Sequence, residues 1–161
     1  SEFWNNGQNR KDGLGGSIRT KREFGDLHLH IEFRYPVESG KQGQSRGNSG
    51  LFLHGVGEIQ ILNSYALGGY WNECGAIYKQ HPPKVNAAAP PLQWQTYDVD
   101  VTLPRFNADG KKLSNAVLTV RLNGIIIHNH LEIDSNASKV SIGLQDHINR
   151  LQYQNIWVLE K

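Results

Sequence analysis

Cysteine and methionine are almost missing from this chain: among 161 residues there is one cysteine, Cys74, and no methionine. A lone cysteine excludes an intrachain disulfide and any cysteine-based structural zinc site. With no initiator methionine, Ser1 is expected to follow a processing or cloning junction. Residues 1–15 are expected to be in part such a remnant, with Ser1-Glu2-Phe3 vector-like, or an incomplete N-terminal strand. An excess of charge is missing too. Lysine and arginine number 17 against 15 acidic residues, a net charge of +2 with no basic run, and that balance predicts neither a nucleic-acid nor a membrane-surface partner. No apolar run approaches the length of a membrane span. The 17 glycines and 6 prolines follow no period, which excludes collagen-like and low-complexity chains. What remains, 38% hydrophobic and 20% charged residues, is the balance of one folded domain spanning 1–161, long enough to bury roughly 70% of its unfolded surface.

A helical period is also absent, and period-two alternation takes its place. In Asp26 to Arg34, the residues Leu27, Leu29, Ile31 and Phe33 share one face, while His28, His30, Glu32 and Arg34 share the other. Trp94 to Leu103 alternates Tyr97, Val99, Val101 and Leu103 against Asp98, Asp100 and Thr102. Ala116 to Leu122 repeats the pattern, and Asn123-Gly124 then signals a tight hairpin into Ile125 to His130. Val140 to Leu144 and Leu151 to Leu159 give two further strands, with Ile156 and Val158 predicted to face away from Tyr153 and Trp157. Asn107 to Asn115 reads as a loop. Short strands at this spacing predict an all-β sandwich or barrel. Tyr65 to Pro91 is long and irregular, and so long a connection in a compact domain is usually functional.

Polar residues that do not belong to a strand's solvent face gather in four places: Arg46 to His54, Glu58 to Tyr65, Gly75 to Ala87, and Leu144 to Asn149. Alternation puts Glu58 and Gln60 on one face of one strand. The inventory of carboxylate, amide, imidazole, ammonium and guanidinium groups, with Tyr65, Tyr78 and Trp94 as flat apolar surfaces, suits a sugar.

These residues carry a family resemblance. Gly16 to Lys21, Phe24 to Arg34, Arg46-Gly47-Asn48-Ser49-Gly50, Glu58-Ile59-Gln60-Ile61-Leu62, Gly75-Ala76-Ile77-Tyr78, Trp94 to Asp98, Pro104-Arg105-Phe106, Leu144-Gln145-Asp146-His147 and Asn155-Ile156-Trp157 follow in order over nearly the whole chain. They resemble the 3-keto-disaccharide hydrolase domain family of the concanavalin-like lectin/glucanase superfamily. The resemblance implies a jelly-roll sandwich of two antiparallel sheets, a glycan-handling face, and a bacterial protein that is periplasmic or secreted. Two positions depart from the family pattern: Asn63 stands in place of an aspartate, and Ile148 in place of a glycine.

A two-acid glycosidase mechanism needs paired carboxylates, yet the strand that carries acids in related glucanases reads Glu58-x-Gln60-x-x-Asn63 here. Neither amide can serve as nucleophile or proton donor. A glycoside oxidised to a ketone at C3 needs less, because the ketone acidifies the C2 proton and one base can start expulsion of the oxygen at C1. Glu58, His147 and Lys79 are the catalytic candidates. Arg46, Asn48, His54, Gln60, Asn63, Tyr65, Gln80, His81, Asn86 and Gln145 are the candidates for binding an oligosaccharide or glycoside. No cofactor and no metal is expected, since the pairs His28/His30 and His128/His130 have a spacing that arises freely on a strand's solvent face. Two alternatives stay open at this point. Glu58 is a structural partner of Arg46 or Lys79, or the domain is a non-catalytic carbohydrate-binding module. Trp157, inside a strand, is expected in the core.

Overall fold

The computed structural model describes residues 4–6, as backbone, and residues 16–161; the expectation for Ser1-Glu2-Phe3 and for 7–15 lies outside the described residues. Strand follows strand: β1 (Trp4–Asn6), β2 (Ile18–Thr20), β3 (Leu27–Arg34), β4 (Ser49–Leu53), β5 (Gly57–Ile61), β6 (Gln95–Thr102), β7 (Arg105–Phe106), β8 (Lys112–Ser114), β9 (Ala116–Leu122), β10 (Ile125–Ile133), β11 (Ile142–Leu144) and β12 (Gln152–Glu160). The one helical piece among the described residues is a single 3₁₀ turn at Gly43–Ser45. The strands form two five-stranded antiparallel sheets, a front sheet in the order β1-β2-β11-β4-β5 and a back sheet in the order β10-β9-β6-β3-β12, with β7 and β8 as a small separate hairpin. The fold is an all-β sandwich of the jelly-roll kind.

The alternation read from the sequence fills the space between the sheets. Leu27, Leu29, Ile31 and Phe33 of β3 meet Tyr97, Val99 and Val101 of β6 and Leu118, Val120 and Leu122 of β9, all fully buried. The front sheet answers with Leu51, Leu53, Ile59, Ile61, Ile142 and Leu144. Each such side chain contributes about 1.5–3 kcal/mol on leaving water. Two tyrosines bridge the layers by their hydroxyls: Tyr97 Oη donates to the Gln60 carbonyl at 2.6 Å, and Tyr153 Oη to Ser49 Oγ at 2.6 Å. Asn123 and Gly124 both take positive φ, 53° and 79°, closing the β9–β10 turn.

Two phase breaks depart from simple alternation. Asn155 in β12 adopts a φ of 47°, and the pairing with β3 shifts register between Gln154 and Trp157. The extra residue turns Tyr153 inward on the same side as Ile156 and Val158. Trp157 is therefore not a core residue: it is 44% exposed and stacks on His30 at 5.1 Å. Trp94 also lies at the surface, under the Arg34 guanidinium at 4.8 Å. In β10 the pairing with β9 breaks at His128, and His130 has a φ of 49°. His128 is thereby buried, its Nε2 2.8 Å from the Gly75 carbonyl, whereas His130 is exposed; the two do not share a face. The stretch expected as a loop at Asn107 to Asn115 includes the second strand of the β7–β8 hairpin.

Candidate functional site

Register across the front sheet decides which side chains share its outer face. Arg19 pairs with Gly143, Gly143 with Phe52, and Phe52 with Glu58. Beyond β5 the segment Gly75 to Tyr78 runs antiparallel alongside: Ile77 bridges to Ile59, and the Tyr78 amide donates to the Glu58 carbonyl at 2.9 Å. Directly paired residues of neighbouring strands point the same way. Because Leu51, Ile59 and Ile77 point into the core, a transverse row of Arg19, Gly143, Phe52, Glu58 and Tyr78 faces outward. On the same face, two residues along β4 and just past its end, lie Gly50 and His54.

The two glycines remove side chains where the floor must be bare. A Cβ on Gly50 would come within 2.2 Å of Glu58 Oε1, so the carboxylate lies across the backbone of β4. A Cβ on Gly143 would come within 2.7 Å of His54 Nε2. The imidazole leans over that glycine and stacks on Phe52, with centroids 5.6 Å apart and planes 16° apart. Glu58 is half-buried, and among the described residues no hydrogen bond or ion pair of its carboxylate is found. Burial raises its pKa above the ordinary glutamate value, and the positive charge of Lys79 pulls part of that back. His54 moves the other way: burial and then the Arg19 charge hold its pKa below the usual histidine value. Lys79 sits at a φ of 61°, with its ammonium 5.3 Å from the Tyr78 ring centre.

The end of this face next to Gly50 is roofed by the chain from 43 to 48. Gln60 is buried, and its amide donates to Gln44 Oε1 at 2.8 Å; Asn48 is buried beside it, donating to the Gln44 carbonyl at 2.6 Å. These two candidates thus belong to a closed amide network next to Glu58. Arg46 neither pairs with Glu58 nor opens onto the row. Its guanidinium holds both Glu73 carboxylate oxygens at 2.9 and 3.0 Å, and Ser64 Oγ donates to Glu73 Oε2 at 2.5 Å. Asn86 is spent on the long connection, donating to the Ser64 and Leu67 carbonyls at 2.6 and 2.7 Å. The structural alternative for Glu58 therefore loses its arginine partner, which went to Glu73 instead.

Of the remaining candidates, Gln80 lies beside Gly57, its amide nitrogen 3.9 Å from where a Cβ would sit, and His81 closes a turn onto Ile77. Asn63 anchors the Arg46 loop through its backbone, at 2.9 Å. Tyr65 is exposed. Gln145 donates its backbone N–H to the Gly50 carbonyl at 2.9 Å and lines a separate cavity of about 430 Å³ with Asp146, Ile148 and Tyr153; Glu58 is not among the residues lining it. His147, in the same loop, is exposed. The structure brings together Glu58, Lys79 and His54, and adds Arg19, Phe52, Gly143, Tyr78 and Trp71; Gln80 meets Gly57 on the side of β5 turned away from Glu58. Phe52 carried a readable signal, since Gly50, Phe52 and His54 alternate with Leu51 and Leu53 on an otherwise apolar strand. Arg19 and Gly143 carried none, because only the sheet order sets them opposite Phe52.

The family model for the 3-keto-alpha-glucoside-1,2-lyase-like domain matches residues 3–159. The chain belongs to this family. Among solved structures, a Parabacteroides distasonis protein provisionally named a glycosyl hydrolase is 36% identical, with a TM-score of 0.80 over 91% of this chain and 69% of its own. A second protein of that organism and name is 20% identical, with a TM-score of 0.66 over 99% of this chain and 91% of its own. The alginate lyase Aly36B is 11% identical, with a TM-score of 0.54 over 92% and 75% of the two chains, a likeness of fold. No curated protein matches the chain significantly. Membership of the 3-keto-alpha-glucoside-1,2-lyase-like family and the hydrolase relatives support a carbohydrate-active domain. Among its described residues, no helix is long and apolar enough to cross a membrane, and no group of three or more metal-ligating side chains is found.

Proposed function

We propose that the protein is an enzyme that cleaves glycosides carrying a ketone at C3, with Glu58 as the base. The observation that carries this reading is a half-buried carboxylate, raised in pKa by burial, alone among amides and cations on an outer sheet face. Gln60 is committed to Gln44, and Glu73 to Arg46, so a second acid for displacement is lacking along this row. Elimination does not need one. Glu58 takes the proton from C2, and the C–H electron pair enters the ketone as an enolate. The enolate then collapses to a C1–C2 double bond and expels the glycosidic oxygen, which leaves as an alcohol once protonated. Lys79, cationic and acting on Glu58 electrostatically, supplies positive charge near the developing anion. Hydration of the unsaturated product would give net hydrolysis. The periplasmic or secreted location implied by the family resemblance belongs to the same proposal.

The test is turnover of 4-nitrophenyl 3-keto-α-glucoside beside the ordinary 4-nitrophenyl α-glucoside. Release of nitrophenol from the ketone alone is the expected result. Equal release from both would point to ordinary hydrolysis, and tight binding of either without release would point to a binding module.

A further inference from the structure

Expelling an alkoxide from C1 takes a proton donor as well as a base. His54 is the next partly buried titratable side chain along the face that carries Glu58. Its backbone amide donates to the Ser141 carbonyl at 3.0 Å, and the stack on Phe52 fixes its ring. The ring leans over Gly143, where a Cβ would meet Nε2 at 2.7 Å and Cδ2 at 3.4 Å. Among the described residues neither ring nitrogen is taken up by a hydrogen bond. Arg19 approaches the same glycine from β2, with its Nε donated to Ser141 Oγ, but a guanidinium keeps its protons.

The spacing suits the two ends of one elimination. Glu58 Oε1 lies over Gly50 and His54 Nε2 over Gly143. Gly143 pairs with Phe52, two residues along β4 from Gly50, so the two glycines are diagonal neighbours, roughly 7–8 Å apart. A base about 3–3.5 Å from C2 and an acid about 2.6–3.2 Å from the oxygen on C1 stand a similar distance apart, with the two carbons between them.

We propose that His54 is the proton donor to the leaving oxygen. As the C1–O bond breaks, the Nε2 proton passes to that oxygen and the imidazolium becomes a neutral imidazole. This assignment rests on the reading of Glu58 as the base. Glu58 is left holding the C2 proton, and exchange with water, one proton lost by Glu58 and one gained by His54, resets the pair. The charge acting on the ring is that of Arg19 from β2; Ser141, Gly143 and Phe52 beside it are uncharged, and Glu58 lies beyond Phe52. Burial and Arg19 make the imidazolium a stronger acid, while burial makes the Glu58 carboxylate a stronger base.

The experiment compares kcat/KM on 4-nitrophenyl and methyl 3-keto-α-glucoside for wild type, His54→Asn, Gly143→Ala and Glu58→Gln, with melting temperature as the check on folding. Nitrophenolate departs without a proton, whereas methoxide does not. His54→Asn should lower turnover of the methyl glycoside by roughly 100- to 10,000-fold and raise the nitrophenyl-to-methyl ratio by a similar factor. Gly143→Ala pushes the ring aside without removing it, and should raise the same ratio less. Glu58→Gln should lower both substrates together. In wild type, kcat/KM on the methyl glycoside should fall on the alkaline side with a midpoint below the ordinary histidine value, a limb lost with the nitrophenyl substrate. Equal losses on both substrates in a folded His54→Asn, or no loss, overturn the proposal and leave Glu58 as the base. An unchanged ratio in a stable Gly143→Ala overturns it as well, and decides alone if His54→Asn fails to fold. A wild type that cleaves neither ketone overturns the Glu58 reading and this assignment together.

Discussion

Gly50→Ala isolates the position of the carboxylate from its identity. The new methyl group would come within 2.2 Å of Glu58 Oε1 and 2.9 Å of its Cδ. Ordinary contact begins near 3.5 Å, so the carboxylate must retreat by more than 1 Å, toward solvent. A misplacement of that size costs a reacting group roughly 100-fold in rate. The fold should not suffer, because Gly50 lies in a regular strand without a positive φ. Alanine there also lowers the entropy of the unfolded chain, worth about 0.4–1 kcal/mol, and the displaced group is the far end of a flexible side chain. At this chain length 1 kcal/mol moves the melting temperature by roughly 2–4 °C. The assay is kcat/KM on 4-nitrophenyl 3-keto-α-glucoside beside thermal unfolding of the same preparation. Activity within about threefold of wild type, at an unchanged melting temperature, would refute the placing of Glu58 at the reacting bond. A collapse of stability would refute the claim that its side chain can swing clear.

Glu58→Gln should lower turnover by roughly two to four orders of magnitude, the worth of positioned acid–base catalysis; full turnover in this variant would move the base elsewhere. Burial raises the Glu58 pKa in the fold above its unfolded value. The stability linked to its protonated form is therefore present below the unfolded pKa and lost as pH rises through the folded one. The amide variant should accordingly melt no lower than wild type at neutral pH and lose ground as pH falls toward 4, in paired unfolding curves. For the same reason kcat/KM should rise with pH along a limb whose midpoint lies above the ordinary glutamate value, and a midpoint at or below that value would contradict the burial argument. Arg46→Met should strand a buried Glu73 and cost about 3–5 kcal/mol, a fall of roughly 10 °C; a fall under 3 °C would show that the pair does not hold the loop carrying Trp71.

The strands were legible because an apolar residue at every second position admits few other foldings, and Leu27 to Phe33 and Tyr97 to Val101 landed as their alternation implied. Alternation misled where one residue was added. Asparagine tolerates positive φ more readily than most residues, so Asn155 absorbs a bulge, and every side chain beyond it changes face without any change in composition. The pairing of Glu58 and Gln60 on one face was equally readable, but their separate fates were not. Gln60 is roofed by Gln44, sixteen residues earlier, and Arg46 finds Glu73 twenty-seven residues away. Those are facts of loop packing. The row from Arg19 to Tyr78 crosses strands taken from both ends and the middle of the chain, so only the sheet order could assemble it.

The bulge at Asn155 has a further consequence, at the rim of the molecule. β12 pairs with β3 on one side and is an outer strand of the back sheet, nine residues of backbone that a second molecule could otherwise extend. The inserted residue breaks the even spacing of amides and carbonyls that a new strand would need. Glu32 then fixes the break by accepting hydrogen bonds from Gln154 Nε2 at 2.6 Å and Asn155 Nδ2 at 2.9 Å. An irregularity that reads as a flaw in the pattern is thus a guard against fibrous self-association. It lets a sheet of alternating valine, leucine and isoleucine end at the surface without inviting its own continuation.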